Sequence, residues 1–198
     1  YKPGRAFTTI GTSAVVYTVT DNPEIDSLGR VHTLCASVPG KWTLMSCTQA
    51  AGLSLRWLRD TVFQQEHINA EARGEDVYNE MTDLAAGVAI GSKQLLFLPF
   101  LMGERSPYLD PDARGVFFGL SPIHGKAELT RAVMEGVAFS QKQCVDIFRE
   151  NKADIEDMIV TGGGGKSYLW RQMLADLYEI PVRTLTVDQG GALGAAIL

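Results

Sequence analysis

The sequence predicts an α/β domain built on a mixed five-stranded sheet, with three antiparallel strands at its start and flanking helices. Three observations predict it. β-rich runs joined by short glycine turns crowd the stretch from Phe7 to Met45. From residue 126 onward the pattern alternates helix, strand, helix, strand, helix, the order that builds parallel strands. The 198 residues are 45% apolar and 21% charged, the balance of a globular chain long enough to bury a core.

Phe7–Ile10 and Ala14–Thr20 flank Gly11-Thr12-Ser13 and read as a hairpin with a short loop. Val31–Val38 and Trp42–Met45 follow, joined by the turn pair Pro39-Gly40. Ala51, Leu55, Leu58 and Val62 recur at helical spacing and predict a helix near 47–62. Between Gln64 and Asp83 six acids face one Arg73, which predicts a solvated helical excursion, part of an insertion over about 64–94. Leu95–Leu98 reads as a short buried strand, and Gly103–Gly115 as a long polar loop with Pro107 and Pro111. A helix near 126–150 puts Leu129, Val133, Gly136, Ser140, Cys144 and Phe148 on one side. Ile155–Thr161 is a strand, Ser167–Tyr178 a helix stopped before Pro181, Val182–Val187 a strand, and Gly190 onward a helix. The chain starts at Tyr1 and ends inside the apolar run Gly191–Leu198 without a cap signal, so it is expected to be a piece of a longer protein.

Composition removes several classes. Eighteen Lys and Arg against 23 Asp and Glu give a net charge of −5, without the basic surplus of a nucleic-acid binder. The longest apolar run, Leu95–Met102, falls short of the roughly 20 residues a bilayer requires and contains Pro99, so no membrane partner is expected. Cys35, Cys47 and Cys144 are odd in number and scattered, which fits a reducing, cytoplasmic location. No zinc spacing appears among His32, His67, His124 and these cysteines.

Two glycine turns carry the chemistry. Thr161-Gly-Gly-Gly-Gly-Lys-Ser167 lies between a strand and a helix, but Val160 stands where a P-loop needs its first glycine. A dinucleotide fingerprint starting at Gly162 meets Ser167 at its last position. What survives is physical. Residues without Cβ let a flat ligand lie against backbone, the following helix starts with free N–H groups, and Ser167 is placed to cap it. Ile10-Gly11-Thr12-Ser13 offers backbone N–H and hydroxyl groups suited to phosphate oxygens. Together they suggest a nucleotide held by backbone, with tightly packed turns as the alternative reading.

Gly115-Val-Phe-Phe-Gly119-Leu120, followed by Glu128-Leu129-x-x-Ala132-Val133-Met134-Glu135, closely resembles the second signature of the FGGY carbohydrate kinases. Ile10–Ser13 resembles that family's phosphate hairpin. Val160–Ser167 with Trp170-Arg171-Gln172 and Ala175-Asp176 resembles its adenosine segment, and Gly190–Ala196 its closing helix. The resemblance implies a ribonuclease H-like, actin-like ATPase fold. Residues 1–198 would then be the C-terminal nucleotide-binding domain of a two-domain sugar kinase, with its last helix cut short.

Val38–Trp42, Gly103–Pro107 and Gly163–Ser167 look most like the branch of the family that acts on xylulose, while the gluconate branch shares the Gly-Glu-Arg loop. This implies transfer of the ATP γ-phosphate to a ketopentose hydroxyl, with ATP and Mg²⁺ as cofactors. A gluconate or other sugar kinase, a non-kinase actin-like ATPase and a dinucleotide oxidoreductase are the competing readings.

By the same resemblance Gly11 and Thr12 would face the β- and γ-phosphates. Gly52 and Arg56 would approach ribose and base, and Gly163, Gly164 and Ser167 would cradle the adenosine. The family's catalytic aspartate precedes the hairpin in an Asp-Asn-Ala-Ala-like stretch. Here six residues precede Phe7 and none is acidic, so no catalytic residue is expected in this chain and no phosphorylation by the chain alone. Asp110 and Asp112 read as loop caps or a domain contact, and Glu104 with Arg105 as an ion pair shaping the loop. The expected partner is a small sugar held mainly by the absent domain, and a homodimer fits as well.

Overall fold

The computed structural model describes residues 4–186 and 194–196. Strands β1 (Arg5–Ile10), β2 (Ala14–Thr20), β3 (His32–Cys35) and β4 (Trp42–Thr48) come first. Helices α1 (Gly52–Val62), α2 (Gln64–Arg73) and α3 (Val77–Ala86) follow, then the short strands β5 (Leu96–Leu98) and β6 (Val116–Phe118). The long helix α4 (Lys126–Glu150), β7 (Asp157–Thr161), α5 (Tyr168–Tyr178) and β8 (Val182–Arg183) complete the order.

The main sheet has six strands in the order β3-β4-β2-β1-β7-β8. The pairs β3–β4, β4–β2 and β2–β1 are antiparallel, while β1–β7 and β7–β8 are parallel. Alternation along the strands follows from the two-residue period. Ala6, Thr8 and Ile10, Ala14, Val16 and Thr18, and Leu44, Ser46 and Thr48 are all buried. Helix α4 lies against β2 and β4 and also packs on α1, α3, α5 and β5. Its Gln141 Oε1 accepts the Thr8 hydroxyl at 2.9 Å, which satisfies a polar group at the middle of the sheet. Trp170 of α5, 2% exposed, donates its indole N–H to the Met134 carbonyl at 3.0 Å and stitches α5 to α4.

The structure corrects several sequence expectations. The sheet has six strands, not five, because β3 and β4 both join it and four antiparallel strands precede the first helix. Strand β4 runs to Thr48, which delays α1 to Gly52. Leu96 and Leu98 are 51% and 44% exposed, so β5 buries only Phe97 and pairs with β6 in a separate two-stranded sheet. The acidic excursion is helical but not merely solvated: Val77, Met81 and Ala85 of α3 are buried, and α3 packs on α4. Glu104 and Arg105 form no ion pair. The Glu104 carboxylate accepts backbone N–H groups, and the Arg105 guanidinium reaches His32 at 2.8 Å. Asp110 does cap its loop, with Oδ1 accepting the N–H groups of Asp112 and Ala113. The expected 182–187 strand stops at Arg183, with 184–186 outside any strand and Val187 outside the described residues; residues 194–196 are helical, while the rest of the expected closing helix lies outside the described residues. Among the described residues no helix is long and apolar enough to cross a membrane.

Candidate functional site

Strands β1, β4 and β7 run in one direction, since β1 and β4 both oppose β2 and β7 parallels β1. Their C-terminal ends therefore reach one edge of the sheet, and the turns leaving that edge meet there. Beside them lies a cavity of about 370 Å³, within the range of roughly 300–1,000 Å³ usual for small-ligand sites. Gly11, Thr12, Gly52, Arg56, Gly163, Gly164 and Ser167, named from the sequence, all line it.

Backbone builds the first wall. The Ala51 and Leu53 N–H groups each donate to the Thr12 carbonyl at 3.0 Å, and the Gly52 N–H donates to the Gly11 carbonyl at 2.8 Å. The first N–H groups of α1 are thus spent on the hairpin rather than left open. Gly52 is a packing glycine, because a Cβ there would lie 2.3 Å from the Gly11 oxygen. Thr12 at the tip is exposed, and its N–H has no partner among the described residues.

The second wall is the 162–167 turn, and its glycines divide by cause. Gly162 has φ +81° and would press a Cβ to 2.6 Å from the Ile10 carbonyl oxygen. Gly164 would strike Ile10 Cγ2 at 2.5 Å and the Trp170 ring at 3.0 Å. Gly163 differs: its φ is −58°, and a Cβ there meets nothing within 4 Å. Among the described residues, neither conformation nor packing calls for glycine at 163. Ser167 Oγ accepts the Trp170 N–H at 3.2 Å and caps α5. Arg171 clamps the turn by donating to the Gly165 and Lys166 carbonyls at 2.7 and 2.9 Å.

Residues that the sequence reading missed close the far side. Asp76, Tyr78, Asn79 and Thr82 of the α3 segment line the cavity, as does Lys166. Asp76 Oδ1 accepts the Tyr78 N–H at 3.0 Å and caps α3. The Arg59 guanidinium lies 5.4 Å from the Tyr78 ring centre. Burial raises the Tyr78 phenol pKa, with Arg59 opposing it. The signal for α3 was present: capping Asp76 followed by Val77, Met81 and Ala85 at four-residue spacing. Ile10, Leu55 and Trp170 supply the apolar lining, while Arg56 and Lys166 are exposed. Such a slot suits a flat apolar ring with an anionic tail.

The long 115–135 signature does not line this cavity. Gly136, just past it, would place a Cβ 2.2 Å from the Phe97 carbonyl oxygen, and Gly119 would place one 2.5 Å from that of Gln94. Glu128 Oε2 accepts the Gly125 N–H at 2.9 Å, and Glu135 Oε1 accepts the Gly91 N–H at 3.2 Å and the Arg131 guanidinium at 2.5 Å. The signature docks β5 and the preceding turn onto α4.

The profile of the FGGY family of carbohydrate kinases, C-terminal domain, matches residues 6–198. A xylulose kinase from Staphylococcus epidermidis is 37% identical over 193 residues, covering 98% of this chain and 37% of that protein. A gluconokinase from Bacillus subtilis is 36% identical over 205 residues, covering 100% of this chain and 38% of that protein. The structure of ligand-bound xylulose kinase from Lactobacillus acidophilus superposes with a TM-score of 0.85 at 30% identity, over 98% of this chain and 37% of that one. The chain thus spans little more than a third of the length of the relatives it matches, and its mixed sheet is that of the actin-like ATPase fold. With its profile match running almost end to end, the chain belongs to the FGGY family of carbohydrate kinases.

Proposed function

We propose that the cavity binds ATP and that this chain is the C-terminal nucleotide-binding domain of a two-domain sugar kinase. The observation that carries the reading is Gly163, a glycine required by neither backbone nor packing, set across one cavity from the hairpin tip. The adenine lies in the apolar slot against Gly163 and Gly164, near Ile10, Leu55 and Trp170. The phosphates extend toward Gly11 and Thr12, where the Thr12 N–H and hydroxyl meet them. Arg56 and Lys166 add positive charge beside the nucleotide, and the 64–94 insertion supplies Asp76, Tyr78 and Asn79 to the base.

The acceptor is a ketopentose hydroxyl, D-xylulose first, as in the xylulose kinase relatives. Gluconate is the second reading, supported by the 36% identical gluconokinase. Transfer needs a base for the hydroxyl proton and stabilisation of the moving phosphoryl charge. This chain supplies the second, through the hairpin. The carboxylate lining the cavity, Asp76, is engaged as a helix cap, which supports a base and a sugar pocket supplied mainly from other parts of the protein. Mg²⁺, the usual companion of ATP, commonly takes one or two carboxylates besides phosphate oxygens. Among the described residues no cluster of three or more metal-ligating side chains is present, which supports Mg²⁺ held mainly by the nucleotide phosphates rather than by a cage of this chain's residues. Three free cysteines accord with a cytoplasmic enzyme.

Calorimetric titration of this chain with ADP tests the binding half. Weak binding lost in Gly163→Val is expected, and binding unaffected by that change refutes the cradle. Assay of the intact protein against ketoses and sugar acids tests the acceptor. Sugar phosphate formed by this chain alone would overturn the placement of the base.

A further inference from the structure

Glu104 stands at the start of the 103–115 loop and is 4% exposed. Its Oε1 accepts the Gln49 N–H at 2.9 Å and the Arg105 N–H at 2.7 Å, while Oε2 is buried with no hydrogen-bond partner among the described residues. Burial raises the carboxyl pKa, opposed by backbone donors of Arg105, Gln49 and Ser106. An ionisable group is costly to bury, so one kept here depends on the bonds it makes.

What it holds is the exit of β4. Gln49 opens the turn whose next N–H groups, those of Ala51, Gly52 and Leu53, grip the Gly11 and Thr12 carbonyls. Helix α1 has no side-chain cap at Ala51. Ser54 Oγ bonds the Ala50 carbonyl at 2.6 Å, but from within α1 itself. Among the described residues, Glu104 is the side chain that reaches this turn from another element.

The loop carrying Glu104 is itself braced. Glu104 and Asp110 exchange backbone hydrogen bonds at 2.8 and 3.1 Å. Arg105 reaches His32 of β3, and the Ser106 hydroxyl donates to the Arg30 carbonyl at 2.9 Å. The anchor is therefore fixed to the sheet edge as well as to the turn.

We infer that Glu104 is a positioning residue for the phosphate-facing hairpin: it anchors the 49–52 turn, and the turn's backbone sets where Gly11 and Thr12 meet the nucleotide phosphates. The inference rests on the cavity being a nucleotide site. It gives the 103–115 loop a task remote from the adenosine cradle, so its loss must separate phosphate recognition from base recognition.

The test titrates the full chain, Glu104→Ala, Glu104→Gln and Gly163→Val with adenosine and with ADP. Hydrogen exchange is followed at amides 49–53 and, for reference, in α4. Glu104→Ala is expected to weaken ADP on the order of tenfold, the scale of one hydrogen bond to a charged group. Adenosine affinity should stay unchanged, and exchange should rise at 49–53 but not in α4. Glu104→Gln keeps an acceptor for the Gln49 N–H and should recover most of the loss. Equal losses for ADP and adenosine, a rise in exchange throughout, or unchanged exchange at 49–53 would each overturn the inference. If the unaltered chain binds neither ligand, the nucleotide reading fails by itself, while exchange at 49–53 still decides whether Glu104 holds the turn.

Discussion

The Gly52 N–H donates to the Gly11 carbonyl oxygen at 2.8 Å, and a Cβ built on Gly52 would lie 2.3 Å from that same oxygen. This contact helps hold the hairpin against α1 and leaves no room for a Cβ at 52. Gly52→Ala is expected to cost about 1–3 kcal/mol of stability, the range for overpacking, despite the better helix propensity of alanine. ADP affinity should fall with it, because the hairpin must move. Urea unfolding and ADP titration of the same preparation check both.

Gly163 and Gly164 should respond in opposite ways. Gly163→Ala puts a methyl into open space at a helical φ, so stability should hold or rise by about 0.4–1 kcal/mol while ADP binding weakens. Gly164→Ala drives a methyl into Ile10 and Trp170 and should destabilise by about 1–3 kcal/mol. Thermal melts with and without ADP separate the two. Loss of stability in Gly163→Ala would remove the argument for a ligand cradle.

On the proposed kinase reading of the intact protein, Thr12→Val should lower turnover more than it weakens ADP binding. The hairpin hydroxyl is proposed to meet the phosphoryl group as its charge shifts, and such contacts act mainly on the transition state. Steady-state kinetics beside ADP titration give the comparison. Equal effects on both would take Thr12 away from the reacting centre.

Acid should release one structural contact in a defined window. The Lys93 ammonium, and then the Gly125 N–H, lower the Glu128 carboxyl from its ordinary 4.5 to about 2. A carboxyl depressed by folding contributes stability that is fully present above its unfolded pKa and lost as pH falls through its folded one. The contribution is therefore complete above about pH 4.5 and disappears toward pH 2. Lys93→Met should flatten the slope of stability against pH inside that window by lowering stability above about pH 4.5 while leaving it nearly unchanged near pH 2. Urea midpoints measured from pH 2 to 7 show whether it does.

Legibility in the sequence followed the range of the contacts. The hairpin at Gly11–Ser13 and the turn at 162–167 announce themselves through neighbouring residues, and all seven residues named from them and from α1 reach one cavity. α3 was obscured because the acids between 64 and 83 dominate its composition, although its buried positions Val77, Met81 and Ala85 follow helical spacing. The destination of Glu104 was not readable at all. Its partner Gln49 lies 55 residues away, and adjacency to Arg105 suggested an ion pair that backbone donors replace. Val31–Val38 reads as a strand, but β3 is brief and half-exposed with weak alternation, so the sequence does not show its place in the main sheet and the strand number falls short by one.

The bonds joining Thr12 and Gly11 to residues 51–53 run between main-chain atoms, with no side chain at 12, 13, 51 or 53 taking part. The frame that presents the hairpin is therefore insulated from substitution at its own tip. On the nucleotide reading proposed above, positions 12 and 13 become adjustable parts on a fixed mount: their hydroxyls can be exchanged, shortened or charged to retune the choice of phosphate donor without redesigning the scaffold. A library confined to those two positions would explore donor chemistry at little structural risk, whereas one that included Gly52 would spend most of its members on broken mounts.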